Sequence, residues 1–361
     1  MSANIRYVFP SIVGQDGNMP HIDIRVRRWR LASLAFLVTV VAACSDATSV
    51  AGEEEAPVGS TVLSVLAFTS SAPGWNSSIS AFGDTEGGTD VSVRTTYGTT
   101  VDLAQSVLEG ADADIVYLAA EPSMNRLVQE NKVDPDWNTG PHQGRPFGSI
   151  STLVVRTGNP LKIQGWADLL RPGIEVVAAN PVLSGSGKWG LMAGYAAASN
   201  GNEDPQAGYD YLNKLILEHV LEGPSTVPEA IDVFLAGTGD VLIAPENSAI
   251  DAERHSAGAE RVLPMQTLRI DNQVAVVSTS EHPEEAARLV DFLYTPVAQR
   301  LWAEAGFRPV LPEVAQEFAA DFPVPQRLFN IDQLGGWKVV EPRFFDPKNG
   351  IITRIFDQAT A

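Results

Sequence analysis

The residues best suited to chemistry in this chain are small and hydroxylated. Asn180-Pro181-Val182-Leu183-Ser184-Gly185-Ser186-Gly187-Lys188-Trp189 follows a β-branched run, Ile174-Glu175-Val176-Val177, and precedes a small-residue helix pattern from Trp189 to Ala198. The order is strand, Ser/Gly turn, helix. Four consecutive small residues let the backbone bend toward a ligand, and the helix that follows points its unpaired N–H groups into the same space. Such a site binds an anion without a cationic side chain. Two further turns share the pattern, Gly98-Thr99-Thr100 and Ser225-Thr226. In an open α/β sheet, ligands sit beyond the carboxyl ends of the strands, where such turns converge. Ser and Thr are also the usual helix caps. Thr226-x-x-Glu229 fits a capping box, with Pro228 in the first turn. The Ser/Gly density of 184–187 exceeds what a cap requires, so ligand binding is the reading there.

Catalytic readings find less support. Gly185-Ser186-Gly187-Lys188 hints at a P-loop, but Val182 stands where the first Gly belongs and Trp189 where a Ser or Thr would hold Mg²⁺. No G-x-S-x-G is centred on Ser184 or Ser186, which argues against a nucleophile elbow. The five histidines are scattered without metal spacing, and no paired acids fall at strand ends. Neither a metal, a cofactor nor an enzymatic activity is expected. Trp166, Trp302 and Trp337 read as packing residues.

The elements that must position these turns need a large body. The chain has 361 residues, enough for two α/β lobes. Its net charge of −19 argues against a nucleic-acid partner, which would require a Lys/Arg face. A small anion is not excluded, because salt screens diffuse surface charge within ~8 Å. The single cysteine, Cys44, excludes an internal disulfide. Arg25, Arg27, Arg28 and Arg30 precede an apolar run, Leu31 to Val41, and then Val41-Ala42-Ala43-Cys44. That order is a signal peptide ending in a bacterial lipobox, with Cys44 as the lipidated residue. Residues 1–43 are thus read as the signal, with Met19 as the start that leaves a conventional n-region. Residues 44–60, small, polar and acidic, read as a flexible tether. The expected location is outside the cytoplasmic membrane.

Val62 to Phe68 is a near-continuous apolar run, as in a buried parallel strand. Asp90 to Thr95 and Asp114 to Leu118 are further strands. Val101 to Glu109 has helical spacing and stops at Gly110. This βαβαβ run implies a mostly parallel sheet. Ser151 to Arg156 suits a crossing between lobes, Asp240 to Ala244 is another buried strand, and Gln273 to Ser278 is a strand before helices at 284–294 and 296–304. The resulting division is 61–152 plus 247–310 for one lobe and 153–246 for the other. The Pro- and aromatic-rich tail, 311–361, is expected to wrap the outside of a lobe.

Several ordered blocks resemble the bacterial sulfate- and thiosulfate-binding proteins of ABC importers. They are Arg156-x-Gly158-Asn159-Pro160 with Trp166-x-Asp168-Leu169; Asn180-Pro181 with Ser184-Gly185 and Trp189; Gly239 to Ala244 with Glu246-Asn247; Arg308-Pro309; and Phe329-x-Ile331-Asp332 with Gly335-Gly336-Trp337. The similarity runs from about Val62 to Phe356. It implies an α/β, two-lobed periplasmic-binding-protein fold of type II topology, closing on a dehydrated oxyanion in a cleft between the lobes. By position, the resemblance makes Ser184 a hydroxyl donor and gives Gly185 and Ser186 N–H donor roles. It sets Thr100 where the family has a Ser on the anion, and the Ser225-Thr226 turn near another backbone donor.

The chain also departs from the family pattern. Pro245 stands where the family has a Trp that donates its indole N–H, and proline cannot donate. The family's first turn, Asp-Pro-Thr-Arg, is Phe68-Thr69-Ser70-Ser71 here, and an Arg is missing before Ser225. An unreplaced donor would cost a buried dianion ~1–3 kcal/mol. Thr69, Ser70, Trp75 and Asn76 are the candidate replacements. Sulfate offers only acceptors, so its site should hold only donors, whereas hydrogen phosphate favours a site with a carboxylate. The three turns contain no Asp or Glu, although Glu246 is expected to border the pocket. The resulting expectation is a monomeric, lipid-anchored binding protein that passes sulfate, thiosulfate or a related oxyanion to a membrane permease. The alternatives are another ligand (molybdate, phosphate or an organosulfonate) or a sensory or scaffolding role.

Overall fold

The computed structural model describes residues 61–221 and 223–360, so the expected signal, Cys44 and the tether lie outside it. The first half contains β1 (Thr61–Phe68), α1 (Ala72–Gly83), β2 (Val91–Gly98), α2 (Thr100–Leu108), β3 (Ile115–Leu118), α3 (Glu121–Gln129) and the long β4 (Phe147–Arg156). β5 (Val176–Ala178), α4 (Gly185–Ala198), α5 (Pro205–Glu218), α6 (Val227–Leu235), β6 (Val241–Pro245), α7 (Glu246–His255), β7 (Ala259–Val262), β8 (Gln266–Asp271) and β9 (Gln273–Val276) follow. The chain continues through α8 (Pro283–Phe292), α9 (Pro296–Glu304), β10 (Arg308–Pro309), α10 (Pro312–Glu317), β11 (Arg327–Phe329), α11 (Trp337–Val340) and α12 (Ile351–Thr360).

Two sheets organise these elements. The first has the order β2-β1-β3-β9, parallel except for β9. β1 is apolar except for Thr61 and Ser64 because it is an inner strand covered on both faces. Leu63, Val65 and Ala67 pack with Trp75, Leu289 and Trp302 on one side. Leu66 points the other way, into Leu103, Val107 and Leu127. This is the period-two alternation of a strand buried twice. The second sheet runs β11-β8-β4-β6-β5, with β7 and β10 also paired to β4. Its two faces carry separate cores. One is built with α4, α5 and the tail, and the other with Val227, Ala230 and Phe234 of α6 and Ala249 and Ala252 of α7.

Some elements differ from the sequence reading. α4 starts at Gly185, not Trp189, because Ser184 caps it and 185–188 form its first turn. β4 starts four residues before Ser151, since Phe147 and Gly148 already pair with β10 and β8. The helix α7 and the strands β7 and β8 had no clear sequence signal, and β7 and β8 pair within the second sheet rather than the first. The tail does more than wrap a lobe. β11 extends the second sheet, and Phe329, Trp337, Val340 and Phe344 are buried in its core. Gly110 does end α2, with a left-handed φ of 91°.

Candidate functional site

The donor turns converge. Thr69, Ser70, Thr99, Thr100, Ser184, Ser186, Ser225 and Thr226 line one cavity, together with Phe68, Gly98, Ala119, Val227 and Pro228. The cavity measures about 20 Å³, where a single water needs about 10–15 Å³. Such a space admits a compact ion and excludes a sugar or a peptide. Gly185 sits immediately behind the wall, against Thr100, Ala119 and Ala120. Trp75 and Asn76 do not line the cavity: Trp75 is buried in the first core, and Asn76 accepts from the Tyr97 hydroxyl at 3.2 Å. Pro245 caps α7, and the cavity-lining residues do not include it.

Three of the turns are true helix N-termini, so the capping and binding readings coexist. Thr99 accepts from the Asp102 N–H at 3.1 Å, Ser184 from Gly187 at 3.1 Å, and Thr226 from Glu229 at 3.3 Å. The Glu229 carboxylate completes the expected capping box by accepting from the Thr226 N–H at 3.0 Å. First-turn N–H groups such as those of Gly185 and Ser186 have no intrahelical acceptor and remain for a ligand. Each helix start carries about half a positive charge. These partial charges favour an anion although no charged side chain lines the cavity, and Asp102 and Glu229 in the first turns of α2 and α6 already offset part of them.

The hydroxyls are not equivalent. Thr99 gives its proton to the Asp102 carboxylate at 2.8 Å, and Thr69 gives its own to the Gly98 carbonyl at 3.1 Å. Both protons are therefore engaged within the fold. Ser184 and Thr226 use a lone pair for the cap, and Thr100 accepts from the Ala119 N–H at 3.3 Å, leaving their protons free. The carbonyls at the strand ends are covered as well. Ser71 donates to Phe68 at 2.6 Å, Thr69 to Gly98, and the Trp189 indole to Ala119 at 2.7 Å. Sequence reasoning passed over Ser71, Ala119 and this role of Trp189. Their only signal was position, at or just beyond the carboxyl ends of β1 and β3 and one turn into α4.

Glu246 does not border the cavity. It is fully buried and accepts from Arg308 at 2.6 and 3.0 Å and from Arg261 at 3.0 Å. Burial pushes its carboxyl above the ordinary range, while the two guanidiniums pull it back toward the ionised form. The described histidines lie elsewhere: for example, His219 contacts the Ile174 carbonyl at 2.9 Å, and His142 stacks on Tyr294. Among the described residues no group of three or more His, Cys, Asp or Glu side chains could hold a metal.

Two lobes with a donor-lined cavity between them define a solute-binding protein. Residues 43–308 match the family of bacterial extracellular solute-binding proteins, and the chain belongs to that family. It is 30% identical over 317 residues to the sulfate-binding protein of Synechococcus elongatus, covering 86% of this chain and 90% of that one. The thiosulfate-binding protein of Pseudomonas aeruginosa is 28% identical over 295 residues, with 79% and 86% covered. The solved structure of the sulfate-binding protein SubI from Mycobacterium tuberculosis H37Rv is 49% identical and superposes with a TM-score of 0.77, covering 79% of this chain and all of that one. The fold is that of the type II periplasmic-binding proteins.

Proposed function

We propose that the protein captures sulfate, or the closely related thiosulfate, outside the cytoplasmic membrane and delivers it to the permease of an ABC importer. It acts as a binding protein without enzymatic activity, as a monomer, held to the membrane by a lipid on Cys44. The observation that carries this reading is the chemistry of the cavity wall. Three helix N-termini and several free hydroxyls face one small space that no carboxylate enters and whose strand-end carbonyls are already hydrogen-bonded. A fully ionised anion that only accepts hydrogen bonds fits such a wall. A protonated oxyanion would keep one O–H without an acceptor, and an unpaired buried donor costs about 1–3 kcal/mol. The ligands carried by the related sulfate- and thiosulfate-binding proteins support the same choice.

Calorimetry with sulfate, thiosulfate, molybdate, phosphate and a small sulfonate tests the reading. Sulfate or thiosulfate should bind most tightly, and no binding by any of the five would refute it. Incorporation of radiolabelled fatty acid, lost in Cys44→Ser, tests the anchor.

A further inference from the structure

Trp189 joins the two lobes at the cavity wall. It stands on α4, in the core of the second lobe, with its ring edge-on to Trp337 at 4.7 Å and 82°. Its indole N–H crosses to the carbonyl of Ala119, just after β3 in the first lobe, at 2.7 Å, and both residues are buried. Ala119 lines the cavity, and its own N–H is taken by Thr100. Packing alone does not require the Trp189 bond, because the Trp337 indole in the same core is buried without a hydrogen-bond partner. A second contact, from Asn247 Nδ2 on α7, which packs in the second sheet's core, to the Ser70 carbonyl just after β1, is longer at 3.5 Å.

We propose that Trp189 is a positioning residue for anion capture. Its indole N–H latches the lobes when the cleft closes and withdraws the Ala119 carbonyl, an acceptor, from the wall facing the anion. The inference rests on the proposed capture of an oxyanion. In an open cleft both groups can bond to water. In a closed one each depends on the other, so loss of the donor penalises the closed state alone.

Trp189→Phe keeps most of the ring and removes the N–H. Its sulfate affinity should fall about 5- to 150-fold, through faster release of radiolabelled sulfate at a near-normal association rate. The melting temperature without sulfate should fall somewhat, because phenylalanine leaves a gap at a fully buried site, so the release rate is the deciding readout. A purely structural tryptophan would lower the melting temperature and leave the release rate unaltered, and that unaltered rate would overturn the proposal. Should the variant fail to fold, hydrogen exchange of the Trp189 indole in the wild-type protein decides, with protection expected only on sulfate addition and equal exchange in both states refuting the latch. A wild type that binds no sulfate would refute the capture reading instead. The latch would then be judged with the panel anion the wild type does bind, and an unaltered release rate of that anion in Trp189→Phe would overturn it.

Discussion

Gly185→Ala separates closure of the cleft from stability of the fold. A Cβ at Gly185 would lie 3.0 Å from Ala120 Cβ, 3.1 Å from Thr100 Oγ1 and 3.2 Å from Ala119 Cβ. All three atoms belong to the first lobe, and the two Cβ atoms are fixed to backbone that no rotamer change can move. The added methyl therefore acts as a wedge between the lobes. Overpacking of this kind costs about 1–3 kcal/mol, or about 5- to 150-fold in affinity. The methyl should not harm the second lobe by itself. Gly185 occupies the first position of α4 and has no left-handed φ, so alanine suits its conformation. Gly→Ala at a compatible site stabilises by about 0.4–1 kcal/mol. The expected result is weaker sulfate binding by calorimetry together with an equal or slightly higher melting temperature without ligand. Gly185→Val should nearly abolish binding. Wild-type affinity in Gly185→Ala would refute the argument that this face of α4 meets the first lobe on closure.

The hydroxyls around the cavity should separate by role. Ser184→Ala removes both a cap and a donor, so it should lower stability by about 1 kcal/mol and also weaken sulfate binding. Ser186→Ala keeps the backbone N–H assigned to the anion, so it should change affinity and melting temperature little. Thr99→Ala should lower stability by a similar amount to Ser184→Ala with little loss of affinity, because its proton already belongs to Asp102. Calorimetry and thermal unfolding of the three variants check the pattern. No cavity-lining side chain titrates between pH 5 and 8, so sulfate affinity measured across that range should be flat. Glu246→Ala leaves Arg308 and Arg261 without their buried carboxylate, and denaturant unfolding should show a loss of about 3–5 kcal/mol.

Much of the fold was legible because its signals were local. The continuous apolar run of β1 and the strand–turn–helix order could be read directly, and the hydroxylated turns named most of the cavity wall. What was lost depended on distant partners. The glycines at 185 and 187 have poor helix propensity, yet they lie inside α4. A Cβ at Gly187 would sit 2.3 Å from the Ala179 carbonyl oxygen, so the close approach of the helix to the chain after β5 sets the residue, not propensity. Glu246 looked like a pocket residue because Arg308 and Arg261, 62 and 15 positions away, only meet it in three dimensions. The tail looked peripheral because β11 gains its sheet neighbour, β8, from some 60 residues upstream.

The same atoms serve folding and binding, which is why capping and anion capture could not be told apart by residue type. In Ser184 and Thr226 the oxygen lone pair belongs to the helix, by accepting from Gly187 and Glu229, and the proton remains for the ligand. Thr69 and Thr99 spend their protons inside the fold. Thr69 nevertheless shapes the site, because its bond to Gly98 covers an acceptor. Ser71 and Trp189 do the same for Phe68 and Ala119. The carbonyls at the ends of β1, β2 and β3 would otherwise present partial negative charge where an anion must sit. Covering them leaves a wall dominated by donors in a region with no cationic side chain, so selectivity depends as much on which acceptors are covered as on which donors are free. Ser71→Ala tests this directly. It touches no ligand and uncovers only the Phe68 carbonyl, so it should weaken sulfate more than phosphate, and an equal loss for both anions would show that the covered carbonyls play no part in discrimination.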